Sequence, residues 1–216
     1  MIVFSPLRYQ SMIDIFPLPV PKRYHLLISI VGTIGTIDDL IEKAQKITLV
    51  FNDYLHKEFC SYKANAYRTE CLGDLISRCG KLMKNCEWKE AKVVDLSSMP
   101  NSNICIYTSS KGSDFSTNVR SLDPNALLYG SIRPYFRKAG FAIGSEYVTG
   151  TVHQFLVKEG YYFWVLALIS SDEFHEYTNI NSQGTKMPII NFDTMCQYRV
   201  PIISETLLAD FNEQIK

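Results

Sequence analysis

The run Ser131-Ile132-Arg133-Pro134-Tyr135-Phe136-Arg137-Lys138 puts three cations and two aromatic rings into one short stretch. Arg133 and Arg137 can fork onto phosphate or onto a guanine edge, Lys138 is a point charge for phosphate, and Tyr135 supplies an apolar face with a hydroxyl tip. Pro134 ends any strand that enters the run, so the cluster belongs on a turn. Asn181, Ser182, Gln183, Thr185 and Lys186 surround Gly184 in a second cluster, rich in amides and hydroxyls that suit adenine edges or phosphate oxygens. Lys111, within Ser109-Ser110-Lys111-Gly112-Ser113, and Arg120 form a third. Each has a plainer reading: a solvated turn whose arginine pairs with a nearby carboxylate, or a polar connection between helices. The residue types alone leave both open.

Catalytic patterns are missing. Gly32-Thr33-Ile34-Gly35 lacks the third glycine and the downstream acid of a dinucleotide fingerprint, and there is no phosphate-loop lysine motif and no Gly-x-Ser-x-Gly elbow. His25, His56, His153 and His175 are scattered, and His153 alternates with apolar neighbours as a packed or half-buried strand residue does. No pair of carboxylates stands out for acid–base work. A base-modifying methyltransferase would need a glycine-rich cofactor loop, and Ser131 to Tyr135 echoes its other motif only superficially. A non-catalytic chain with no cofactor of its own is expected.

Lys and Arg together number 22, as do Asp and Glu, so the formal charge is zero, which argues against a polybasic tail or a strongly cationic nucleic-acid binder, though not against a local basic face. Cys60, Cys71, Cys79, Cys86, Cys105 and Cys196 have no C-x-x-C spacing and no histidine set to complete a zinc site. Reduced thiols in a cytoplasmic protein are the expectation. No apolar run is long enough to span a membrane.

These clusters need positioning. Pro6, Pro17, Pro19 and Pro21 keep residues 1–21 out of helix. Ile30, Ile34, Ile37, Ile41, Phe51 and Leu55 then recur at heptad-like spacing, predicting one coiled-coil-like helix from Lys22 to Phe59, roughly 55 Å long, with a weak point at Gly32 and Gly35. Beyond it, Leu72, Leu75, Ile76 and Cys79 share a face of a short helix, and strands are predicted over 91–97, 104–108, 126–133, 140–143 and 151–157. A helix spans Tyr161 to Tyr177, and Tyr107 and Tyr129 read as core or cross-strand packing. Irregular mixing of strands and helices makes this an α+β domain. Ser5-Pro6-Leu7 also echoes Met187-Pro188-Ile189, and Leu18-Pro19-Val20 echoes Val200-Pro201-Ile202 at the same offset, as in a duplicated unit.

Leu127 to Tyr135, Lys138-Ala139-Gly140, Gly150 to Phe155 and Gly184 to Pro188 with Ile190-Asn191-Phe192, following Cys71 to Leu75 and Val94 to Ser98, together resemble a target recognition domain of the specificity subunit of type I restriction-modification systems. The resemblance covers nearly the whole chain through order and spacing, each motif being weak by itself. It implies a remnant of a preceding recognition domain at 1–21, a spacer helix at 22–60, a recognition domain at 68–203 with a mixed or antiparallel sheet, and the start of a second, truncated spacer helix at 204–216. It further implies double-stranded DNA as ligand, with methyltransferase subunits, which bind S-adenosylmethionine, and a restriction subunit as partners. The family has two recognition domains in tandem, and this sequence shows one. A seam through Ile30, Ile34, Ile37, Ile41, Phe51 and Leu55 without its intramolecular partner is expected to pair with a second copy or a half-subunit. A helix-mediated scaffold and an inactive truncated form are the alternatives.

Overall fold

The computed structural model describes residues 37–84, 88–101, 103–116 and 118–215, with side chains from Glu42 onward. The echo at 1–26, Ile30, Ile34, and the side chains of Ile37 and Ile41 lie outside the described set. Helix α1 runs Ile37–Lys63, with Glu42 and Lys46 paired across one turn at 2.6 Å. Thr48, which interrupts the apolar seam, turns its hydroxyl back onto the carbonyls of Ala44 and Gln45 at 3.0 and 2.8 Å.

The seam meets cover inside the chain. Leu55 and Phe59 are fully buried, and Phe51, Tyr54 and Tyr62 pack at their margins. Their partners are α2, Tyr162–Ile169, and the last helix, α5, Glu205–Ile215. Tyr62 stacks edge-on against Phe211, and the Tyr54 hydroxyl reaches the Gln214 carbonyl one turn on, so α1 and α5 run antiparallel. The unpartnered seam expected from the sequence therefore does not hold at Phe51 and Leu55: the apolar face that periodicity reveals is satisfied by elements more than a hundred residues downstream.

Between these helices lies the mixed part of the α+β fold. A five-stranded sheet has the order β2 (Ile76–Arg78), β10 (Val152–Val157), β7 (Leu127–Gly130), β8 (Ala139–Ala142), β4 (Cys105–Ile106), all antiparallel except β4 on β8. A four-stranded sheet has β5 (Ser110–Lys111), β3 (Lys92–Val94), β9 (Tyr147–Thr149), β6 (Val119–Ser121), with β3 and β9 parallel. A two-stranded ribbon pairs β1, Arg68–Cys71, with β11, Arg199–Ile202.

The period-two alternation of strands decides which face each residue serves. Leu127 and Tyr129 point into the helix-covered core, whereas Leu128 joins Val94, Met99, Ile106, Val148 and Val152 between the two sheets. Gly140 lies where β8 meets the chain entering β4: its φ is +151°, and an added Cβ would sit 2.0 Å from the Ile104 carbonyl oxygen.

Several sequence expectations are corrected here. Leu72 to Cys79 is not a helix but a 3-10 turn, Leu72–Asp74, leading into β2, because Ile76 to Arg78 pairs with the otherwise open edge of β10. The strand from Ala91 stops at Val94, where the Asp95 carboxylate accepts from the amides of Ser97 and Ser98 at 3.0 and 3.2 Å and forces a turn. The helix over 161–177 is two helices, α2 and α3 (Asp172–Ile180). Ser170 bonds back to Leu166 at 2.7 Å, and Ser171 caps α3 through the Phe174 amide. Tyr107 is 45% exposed rather than packed, while Tyr129 is fully buried as expected.

The Tyr129 hydroxyl lies 2.7 Å from the Thr178 hydroxyl and 3.0 Å from His175 Nδ1. Burial, with Arg137 adding in the same direction, brings the His175 pKa down from 6.5 to about 4. Protonation is then favoured in the unfolded chain. The contribution is fully present above pH about 6.5 and is lost as the pH falls through about 4, a swing of roughly 3 kcal/mol for a depression of this size. Burial depresses His153 in the same direction. Urea midpoints at pH 7, 5.5 and 4 are expected to fall steadily, and His175→Gln to flatten the fall; an identical slope in the variant would remove His175 from this account.

Among the described residues no helix is long and apolar enough to cross a membrane. Cys60, Cys71, Cys79, Cys105 and Cys196 are free thiols, and burial pushes Cys79 and Cys105 up to about 11 and about 12, which leaves neither ionised near neutral pH.

Candidate functional site

The first two clusters of the sequence meet in space. Strand β7 ends at Gly130, and the next residue, Ser131, is held twice by the Thr151 carbonyl, through its amide at 3.0 Å and its hydroxyl at 2.6 Å. The Ser131 carbonyl accepts the Ile190 amide at 2.9 Å, and the Arg133 amide donates to Pro188 at 2.7 Å. These bonds flank a bridge between Ile132 and Ile189, and Ile189 in turn exchanges two 2.9 Å bonds with Gln183. Ile132, Ile189 and Gln183 thus form a short row across three chain segments.

Beyond the row, Arg133 turns left-handed at φ 52°, Pro134–Phe136 makes one 3-10 turn, and Arg137 is left-handed again at φ 56°. Two non-glycine residues in this region cost roughly 1–2 kcal/mol each. Pro134 is buried as the anchor, and Arg133, Tyr135 and Phe136 stand out from it. The Tyr135 and Phe136 rings lie 4.8 Å apart, with 49% and 39% of their surface exposed.

Of the cations at this end, Arg133 and Lys186 are exposed, and their side chains have no hydrogen-bond or ionic partner among the described residues. Arg137 instead pairs with Asp172 at the start of α3, at 2.6 Å. Lys138 is partly buried, its ammonium donating to the Leu96 carbonyl, and burial lowers its pKa against the pull of Asp95. For Arg137 the plainer reading of the sequence, an arginine paired with a neighbouring carboxylate, is the one the fold realises. Gln183, Thr185, Lys186 and Met187 are exposed on a loop whose Gly184 has φ +101° and whose ends are closed by the bond pair to Ile189.

The third cluster divides. Arg120, on edge strand β6, donates to the Gly80 carbonyl at 3.3 Å and lines an open groove with Asp95, Leu96, Asn118, Thr149 and Thr151. Thr151 is also the residue that clamps Ser131, so this groove adjoins the joined loops. Lys111, on β5, is at the opposite edge of the same sheet, facing Lys92 across the ladder, and is not brought to the site. Ile189, Met187 and Asn118 were not singled out from sequence as site residues. An isoleucine in a polar loop is a faint signal, and Asn118, left-handed at φ 61° with its carbonyl on the Gly150 amide, left none. His153 is half-buried as read, its Nε2 2.9 Å from the Ile190 carbonyl, and so braces the row from below.

A second cleft separates α1 from the domain, lined by His56, Lys63, Arg137, Asp172, Glu173 and His175, with Lys63 and Glu173 paired across it.

No family model and no curated protein matches this chain. Solved structures do. The HsdS subunit from Thermoanaerobacter tengcongensis aligns with a TM-score of 0.51 at 12% identity, over 66% of this chain and 40% of that one. A chain from a structure titled for complex assembly and conformational transition of the type I R-M system aligns over 98% of this chain and 53% of its own, at 12% identity and a TM-score of 0.45. Over the aligned residues the fold is that of the HsdS subunit, and this chain spans under half of that subunit's length.

Proposed function

We propose that the chain is a non-catalytic DNA-recognition half of a type I restriction-modification specificity subunit. One observation carries the reading. Two loops about fifty residues apart are bonded into a single surface that contains no acidic residue between 131 and 138 or between 181 and 190, and on which Arg133 and Lys186 remain unpaired. Arg133 and Lys186 take phosphates or a guanine edge, Gln183 and Thr185 read base edges, and Tyr135 packs beside them. Arg137 and Lys138 act by shaping the turn through Asp172 and Leu96. Arg120 extends the surface along the groove, and Lys111 lies apart from it.

Residues 68–203 form the recognition domain in this reading, 22–60 the spacer and 204–216 the start of the opposing spacer, which the antiparallel packing of α5 on α1 supports. Methyltransferase subunits, and a restriction subunit where present, bind along the spacer, and S-adenosylmethionine belongs to them. A second reading, a helix-mediated scaffold, draws on Leu49 and Val50, each 48% exposed on α1, outside the covered seam. Electrophoretic shift of random duplex DNA across a salt series separates the two. Zero formal charge and few unpaired site cations give binding that is weak but falls with salt, with a log–log slope of about −2 to −3. A chain that self-associates and shifts no duplex at low salt belongs to the second reading.

A further inference from the structure

Resting on that reading, we infer that Ile189 and Gln183 are specificity-determining residues that together read an A·T base pair, Ile189 packing on the thymine methyl and Gln183 bonding the adenine edge. Ile190 and Ser131 turn into the protein, 0% and 4% exposed, so alternation turns their neighbours Ile189 and Ile132 outward. Ile189 is 41% exposed, and Met187 beside it is 48% exposed. Because Gln183 and Ile189 exchange both backbone bonds, they are directly opposite, and their side chains leave the same face about 5.5 Å apart or less. The Gln183 carboxamide has no hydrogen-bond partner among the described residues.

This is an apolar branch set beside an unpaired amide, at the place where the surrounding loops carry cations and no carboxylate. In the major groove only thymine offers an apolar group, its C5 methyl, and the adenine paired with it offers the acceptor and donor that one carboxamide can meet together. The charge of the flanking Arg133 and Lys186 favours a duplex over a protein surface as the occupant. The backbone of the row is closed by its own hydrogen bonds, so the positions from which both side chains project are set before any ligand arrives.

The test uses the 216-residue chain and a duplex pool with a random centre, selected at low salt with thymine-containing DNA. The selected duplexes are then remade with uracil for thymine, which removes the methyl and leaves every base-pairing edge intact. An enriched A·T step is expected, with uracil duplexes bound about fourfold more weakly, the factor for one buried methyl group. Ile189→Ser should bind both versions alike, and Gln183→Ala should lose the adenine preference. Equal binding of thymine and uracil duplexes by the native chain overturns the inference and leaves salt-dependent DNA binding in place. Failure to bind any duplex overturns the functional reading with it. If Ile189→Ser alters self-association and leaves duplex selection unchanged, the ridge is a protein contact and the inference falls.

Discussion

Arg133→Glu combined with Lys186→Glu is expected to weaken duplex binding by roughly 100-fold, and to lower the steepness of its salt dependence by about two. The two side chains are the unpaired cations of the joined loops, and reversal both removes attraction and adds repulsion of phosphate. Neither is buried, so the melting temperature should stay within a degree or two of the native value. Arg137→Ala is the informative companion. Its guanidinium is held 2.6 Å from Asp172, and loss of that exposed pair should cost little stability and only a fewfold in binding, through a looser turn. If Arg137→Ala abolished binding while the double reversal left it intact, the roles assigned to these cations would be inverted. Binding is best followed by fluorescence anisotropy on a labelled duplex between about 50 and 200 mM salt, the range over which counterion release is most legible.

Trp164→Ala should lower stability by about 3–5 kcal/mol, and the melting temperature by roughly 8–16 °C. Trp164 is wholly buried, 4.6 Å from the Phe59 ring of α1 and 5.2 Å from the Phe211 ring of α5, and its Nε1–H donates to the Pro201 carbonyl at 2.9 Å. One side chain therefore joins the central helix, both outer helices and strand β11. Its removal leaves a cavity at their meeting point and a buried carbonyl without its donor, so α1 and α5 should become the first segments cut by protease. Trp164→Phe keeps much of the ring contact and loses the hydrogen bond, with an expected cost of about 1–3 kcal/mol. Calorimetry of both variants checks the ranking, and a Trp164→Ala protein that melts with the native chain would place the hub elsewhere.

What the sequence could reveal follows from the range of each interaction. The heptad-like seam of α1 was legible because periodicity is local. Periodicity could not name its partner, since Phe211 meets Tyr62 directly, and Phe59 through Trp164, from the far end of the chain. Both polar loops were legible from residue type, but their union depends on Ile132 finding Ile189, a pairing with no local signature. Arg133 and Arg137 look alike in sequence and differ in fate because Asp172 reaches only the second. The break of the long helix at Ser170-Ser171 was readable in principle, since adjacent serines compete for helix carbonyls and offer a cap. Strand cores were placed well and strand ends poorly, as where side chains such as Asp95 intervene.

The bond pair between Gln183 and Ile189 closes the segment from Gly184 to Pro188 upon itself, and among the described residues the domain's one further hydrogen bond to that segment is from the Arg133 amide to the Pro188 carbonyl. Closing a somewhat longer loop on the same ends adds only about 0.6 kcal/mol per doubling of its length. Residues inserted between Thr185 and Lys186 are therefore expected to have little effect on β7, β10 or α4 (Phe192–Cys196), as a thermal melt of such a variant would show. On the proposed reading, a change in this small cassette alters what flanks Gln183 and Ile189 while leaving the scaffold that presents them as it is.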